Sequence, residues 1–169
     1  SLAESLDCEV RASVLLLRDG RLHTGAGPSL PSEYHAAIDG LQIGPEVGSC
    51  GTAAFLRRLV IVTDTETDAK WASFREFSRR YELRSCWSQP ILAPDGGDGA
   101  GPRVYGTLAM YHRTVRAPTV QQVRLVRELA HLAAVAIERH ESAAALRQTL
   151  ADLTTARRQA EAANLAKSE

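Results

Sequence analysis

The stretch Gly44 to Phe55, GPEVGSCGTAAF, sets a cysteine between two glycines just ahead of a run with helical character. A thiol at a helix N-terminus meets unpaired N–H groups and the positive end of the dipole, which lower its pKa and make it a nucleophile. The same glycines equally serve a plain strand-to-helix turn, in which Cys50 is a small, soft residue that fits. A nucleotide-triphosphate loop is excluded, because the segment lacks the Gly-Lys-Ser/Thr ending. Glycine loops that feed a helix present free N–H groups suited to a carboxylate, phosphate or carbonyl oxygen. Gly48, Ser49, Cys50, Gly51 and Thr52 therefore form one wall of a candidate pocket for a small molecule. Trp71 and Phe74 are placed to close a lid over it, with Tyr34 or Ile38 from an earlier helix. Ser85, Cys86, Trp87 and Met110 are candidates for a sheet floor, with strand alternation deciding which of them face inward. In a chain with 5% aromatic residues, the same aromatics also suit a plain core.

Other chemistries find less support. Cys8, Cys50 and Cys86 are odd in number, far apart and without C-x-x-C spacing, which indicates a reducing compartment and no structural zinc. None of the five histidines sits beside a second ligand at useful spacing, so no metal site is expected and no haem-ligand pattern is visible. Cys50 is followed by Gly51 and Cys86 by Trp87, unlike the Cys-His pair usual at bilin attachment sites. The sequence leaves any cofactor or ligand unidentified. Twenty basic and twenty acidic residues balance, with no basic run of the kind that binds nucleic acid. No apolar stretch approaches the roughly 18 residues of a membrane span, and no signal peptide opens the chain. Both ends read as cut from a longer cytoplasmic protein.

These residues need elements to position them. ASVLLLRDGRLHTGAG reads as a hairpin turning at Asp19-Gly20. Pro31 opens a short helix that Gly40 ends. After the glycine loop come a helix from Thr52 to Arg58 and a buried strand from Leu59 to Glu66. WASFREFSRRYEL carries Trp71, Phe74, Phe77 and Tyr81 at helical spacing. SCWSQPIL and RVYGTLAMYHR are two strands around a glycine-rich loop. The result is an α+β domain around an antiparallel sheet of five to six strands, with helices on both sides.

After Pro118 neither glycine nor proline interrupts the chain, so a single long helix is expected. Steps of three and four give Leu125, Leu129, Leu132, Ala136, Arg139, Ala143, Leu146, Leu150, Leu153, Arg157, Ala160 and Asn164, a coiled-coil seam. A second stripe, Val126, Ala130, Ala133 and Ile137, broadens the apolar face in the first half. The second half keeps only the narrow seam, weakened by Arg157 and Asn164. It is expected to pair with a second copy in a parallel homodimer, with Leu125, Leu129, Leu132, Ala136, Ala143, Leu146, Leu150 and Leu153 at the interface.

Taken together, RASVLLL, GSCGTAAF, VIVTDTETDAKWASF, LRSCWSQPIL, YGTLAMYHR and RELAHLAAVAIER resemble the GAF domain family, over about Arg11 to His140. ARRQAEAANLAKSE resembles the linker entering the phosphoacceptor helix of sensor histidine kinases. The resemblance implies a GAF/PAS-like sensory module at 11–140, preceded by the end of an N-terminal helix at 1–10. A coiled-coil linker at 141–169 would follow, leading toward a kinase domain. It also implies a ligand-binding or dimerising relay without catalysis of its own. One enzymatic branch of the fold, the free methionine-(R)-sulfoxide reductases, has a similar Gly-Cys-Gly turn. Those enzymes place their nucleophile in the segment that here reads TETDAKWASFREF, without cysteine, and Cys86 lies on the following strand at a position that is not catalytic in that branch, so Cys50 is expected to be structural. The alternative is a thiol redox sensor or reductase-like enzyme using Cys50 and Cys86.

Overall fold

The computed structural model describes residues 10–94 and 101–166. The expected N-terminal helix end and Cys8 lie outside these residues, as does the tip of the glycine-rich loop. The chain divides into two compact units, Ser1–Ala134 and Val135–Glu169.

The first unit is built on six strands. They are β1 (Arg11–Arg18), β2 (Arg21–Ala26), β3 (Leu41–Gln42), β4 (Val60–Val62), β5 (Ser85–Leu92) and β6 (Val104–His112). Their order across the sheet is β3-β2-β1-β6-β5-β4, and every neighbouring pair is antiparallel. Asp19 and Gly20 both have positive φ, 51° and 73°, which matches the right-handed twist of the β1–β2 hairpin. The helices are α1 (Ser32–Ile38), α2 (Gly48–Leu56), α3 (Arg75–Arg80) and α4 (Val120–Ala166), with a 3-10 turn at Ala69–Phe74.

Register assigns the faces. Cys86 pairs with Val62 and Tyr111, and Ser88 with Val60 and Ala109. These side chains share the face whose core takes in Leu15, Tyr34, Ile38, Cys50, Ala53 and Trp71. The other face carries Ile61, Trp87 and Met110, which pair across β4, β5 and β6. There the Trp87 ring packs on His112 with centroids 4.4 Å apart. Ile61 lines a groove together with Pro118, Val120, Val123 and Arg127, which sets the first turns of α4 beside this second face. Val126, Ala130 and Ala134 are the buried residues of those turns. The inner stripe therefore runs in steps of four and uses Ala134 where the spacing predicts Ala133, which is half-buried.

Three elements depart from the sequence reading. α2 begins at Gly48 rather than Thr52, so Cys50 lies inside the first turn and not ahead of it. β4 ends at Val62, short of Glu66. Asp64 ends it: its Oδ1 accepts from the Glu66 amide at 3.0 Å and its carbonyl accepts from the Asp68 amide at 3.1 Å, which folds the chain into a turn. The helical reading of WASFREFSRRYEL resolves into a 3-10 turn followed by α3, broken at Phe74.

In the second unit α4 continues as helix to Ala166. Leu146, Leu150 and Leu153 are 55–61% exposed there. Arg157 pairs with Glu161 one turn on, at 2.7 Å. Among the described residues no helix is long and apolar enough to cross a membrane.

Candidate functional site

The site is organised by the first turn of α2. Gly48 enters it with φ +56°, a conformation that favours glycine. The Thr52 side chain then ties the turn to the preceding loop, accepting from the Val47 amide at 3.1 Å and donating to the Pro45 carbonyl at 3.3 Å. A Cβ on Gly51 would meet Val47 at 2.8 Å. Gly51 is therefore required by this close packing rather than by turn flexibility, and Thr52 is a brace. Neither lines the cavity beside the turn.

That cavity measures about 30 Å³, room for roughly one or two water-sized molecules. Leu15 from β1, Tyr111 from β6, Tyr34 and Ile38 from α1, Leu41 from β3 and Val47 to Cys50 surround it, and Trp71, Phe74 and Phe77 close it. Trp71 is held down by its indole N–H, which donates to Ser49 Oγ at 3.0 Å. Ser49 in turn donates to the Cys86 carbonyl at 3.3 Å, fixing α2 to β5. Phe77 packs at a tilt against Tyr34 and Tyr81, with centroids 5.1 and 4.8 Å apart.

Polar groups gather on the floor. The Tyr111 hydroxyl accepts from Tyr34 at 2.7 Å and lies 3.3 Å from Ser13 Oγ and 3.4 Å from Cys50 Sγ. Burial pushes both tyrosines well above the ordinary phenol value. The two thiols part company. The neighbouring Cys86 thiol is the leading cause that lowers Cys50 from 9.0 to about 6, helped by Tyr111, Ser88 and Thr107 against burial. Burial first, then Cys50 itself, raises Cys86 well above its ordinary value. The Ser88 and Thr107 hydroxyls are fully buried and lie toward Cys50 without reaching good hydrogen-bond geometry in this conformation.

Of the residues the sequence offers for the pocket, Tyr34, Ile38, Gly48, Ser49, Cys50, Trp71 and Phe74 line one cavity. Cys86 lies behind Cys50 on the same sheet face, in register with Tyr111. Trp87 and Met110 point to the opposite face, as does Ser85, because strand alternation turns odd positions of β5 away from the side that Cys86 occupies. Leu15, Leu41, Val47, Phe77 and Tyr111 complete the lining and are not among the residues singled out from sequence. Tyr111 was within reach of strand alternation, since it faces opposite to its neighbour Met110. His35 is committed elsewhere, with Nε2 2.9 Å from the Gly27 carbonyl, and among the described residues no cluster of metal-ligating side chains forms.

Comparison with known proteins places this architecture. The chain is 34% identical over 149 residues to the "Methyl sulfide methyltransferase-associated sensor" of Methanosarcina acetivorans. That match takes in 87% of this chain but spans only 14% of the relative's length. Among solved structures, a domain described as that of a two-component sensor histidine kinase from Sinorhizobium meliloti superposes with a TM-score of 0.66 at 16% identity, covering 86% of this chain and 90% of that one. The type II free methionine-R-sulfoxide reductase of Thermoplasma acidophilum superposes with a TM-score of 0.55 at 17% identity, covering 79% and 82%. These structural likenesses show a shared fold. The sequence profile of the GAF domain matches residues 1–138, and with the sheet, cavity and helices described above, this chain belongs to the GAF domain family.

Proposed function

We propose that this GAF domain is the sensory module of a cytoplasmic two-component sensor histidine kinase, binding a small molecule in the Cys50–Trp71 cavity and relaying occupancy through α4. The observation that carries the reading is α4 itself. It runs unbroken from Val120, within the sheet unit, to Ala166, and its later turns expose leucines at seam spacing. A helix of this length is stable in water when a partner covers its apolar seam. Two copies joined in parallel through Leu125, Leu129, Leu132, Ala136, Ala143, Leu146, Leu150 and Leu153 would carry a signal from cavity to output. A sensor-associated relative and a histidine-kinase structural neighbour support the same role.

A cavity of about 30 Å³ is far below the roughly 300 Å³ of a metabolite pocket, so a metabolite fits only when the residues over it move apart. The Trp71–Ser49 hydrogen bond is the latch that must break. The module has no catalytic residue of its own in this reading.

Native mass spectrometry of the protein purified from its own cells tests the ligand. A retained small molecule that is lost from a Phe74→Ala, Phe77→Ala variant supports the reading, whereas a bare protein whose melting no metabolite shifts would leave only a dimerising spacer. The output is tested by histidine autophosphorylation of the intact protein with ATP, which the reading expects to change when the lid residues are altered.

A further inference from the structure

We propose that Cys50 and Cys86 form a peroxide-responsive dithiol, in which hydrogen peroxide admitted to the cavity oxidises Cys50 and Cys86 then closes a disulfide on it. This goes beyond ligand capture and makes the domain a chemical sensor with its readout on its own chain.

Four features of the geometry carry it. First, Cys50 lines the cavity, whose volume suits a molecule about the size of water and not a bulky thiol or alkyl peroxide. Second, Cys50 is ringed by hydroxyl donors. Tyr111 OH is 3.4 Å from its sulfur, and the Ser88 and Thr107 hydroxyls face the same sulfur without satisfying a bond. Buried donors left unpaired cost free energy unless a group that develops charge uses them. A thiolate, or the hydroxide leaving from peroxide, is such a group. Third, Cys50 is in the first turn of α2, where the helix dipole also favours negative charge. Fourth, the second cysteine stands beside the first: the Ser49 hydroxyl donates to the Cys86 carbonyl at 3.3 Å, and Cys86 pairs in register with Tyr111, whose hydroxyl is 3.4 Å from Cys50 Sγ. Both thiols are free and buried. Cys50 lines the cavity and Cys86 lies behind it, so Cys50 is the thiol that meets peroxide and Cys86 the one that resolves.

The steps balance. The Cys50 thiolate attacks one oxygen of hydrogen peroxide. The O–O bond breaks, hydroxide leaves and takes up a proton as water, and the sulfur loses two electrons to become a sulfenic acid. The Cys86 sulfur then attacks that of Cys50. An S–S bond forms, the S–O bond breaks, and the departing hydroxide leaves with the Cys86 proton as a second water. Net, two thiols and one peroxide give one disulfide and two waters. Cys50 adjoins Ser49, whose hydroxyl bonds both Trp71 and the Cys86 carbonyl, so the new bond bears on the Ser49–Trp71 latch and links oxidation to the lid.

The test uses the full chain in a Cys8→Ser background, treated with stoichiometric hydrogen peroxide and then mapped by thiol alkylation and intact mass. The expected result is loss of two hydrogens, a Cys50–Cys86 cross-linked peptide, and full reversal by dithiothreitol. Adding Cys86→Ser should stop the protein at Cys50 with one oxygen gained, trapped by dimedone. Adding Cys50→Ser should leave the mass unchanged, with circular dichroism verifying the fold of each variant. In the folded protein Cys50 should react about tenfold faster at pH 7 than in urea. The Cys8→Ser measurement alone decides if a further variant fails to fold. Two alkylatable thiols after peroxide that oxidises a free-cysteine control would overturn the proposal. So would oxidation that begins at Cys86. Neither outcome depends on whether a metabolite is retained, so this proposal and the ligand reading fail separately.

Discussion

The cavity floor and the exposed seam of α4 invert each other. Around Cys50 the protein buries hydroxyls and thiols that water would solvate well. Along Leu146, Leu150 and Leu153 it exposes leucines that a core would hold. Each inversion costs stability in the isolated chain, because unsatisfied polar burial and exposed apolar stripes are both unfavourable. Each also names what would relieve it. Donors around a sulfur want a negative charge, and an apolar seam of period 3.5 wants a second helix. The lesson is that both regions are legible as departures from ordinary burial, one as polar groups inside and the other as apolar groups outside.

The contrast can be broken first at the seam. Leu146→Glu with Leu150→Glu should turn a dimer into a monomer, weakening association by at least about a hundredfold, which corresponds to about 2.8 kcal/mol. Sedimentation velocity reads this directly, and thermal unfolding of the sheet unit should stay near normal. An unchanged dimer would place the interface elsewhere.

Leucine against leucine sharpens it next. Leu15→Ala removes a side chain that is 1% exposed and should cost about 2–5 kcal/mol in chemical unfolding. Leu146→Ala, measured at concentrations where the chain is monomeric, should stay within about 0.5 kcal/mol of the parent. Equal costs would mean that the seam is already buried within one chain.

Tyr111→Phe probes the polar floor. It deletes the hydroxyl that joins Tyr34, Ser13 and Cys50, and should cost about 1–2 kcal/mol. It should also slow oxidation of Cys50 by hydrogen peroxide at pH 7, whereas a hydroxyl that only fills space would leave that rate unchanged.

The smallest effect is a shift on the pH axis. Because Cys50 is lowered to about 6, its thiolate forms as pH rises through that value. The groups facing it are Cys86 from β5, Tyr111 from β6 and, through Tyr111, Tyr34 from α1, all neutral at pH 6 since burial raises each of them. Reactivity toward peroxide should rise between pH 5 and 7 and then level off. Continued increase through about pH 8.5 would mean an ordinary thiol.

Much of this was readable in the residues. Alternation and turn chemistry set the strands of both hairpins, since Asp19-Gly20 permits little else between two apolar runs. An uninterrupted stretch after Pro118 made α4 inevitable, and its leucine spacing marked a seam without any fold. The glycine–cysteine turn, Trp71 and Tyr34 stood out because small and aromatic residues near a helix start are chemically conspicuous. The sequence could not tell that α2 takes in Gly48 to Gly51, because two glycines argue locally against helix and only the packing of Val47 against Gly51 reverses that.

Tertiary structure alone decided which side of β5 faces the site. A one-residue change of register exchanges every side chain between faces, and register is set by partners distant in sequence, here Cys86 opposite Tyr111. That pairing sent Trp87 and Met110 away and brought Tyr111 in. It also set two cysteines, separated by a helix, a strand and a turn, around one phenol. Sequence supplied the thiols and the seam, because both are properties of residue type and spacing. The environment that makes one thiol acidic and its neighbour reluctant exists only when α2 is laid across the sheet, because burial and hydrogen bonding belong to the folded arrangement and not to the chain.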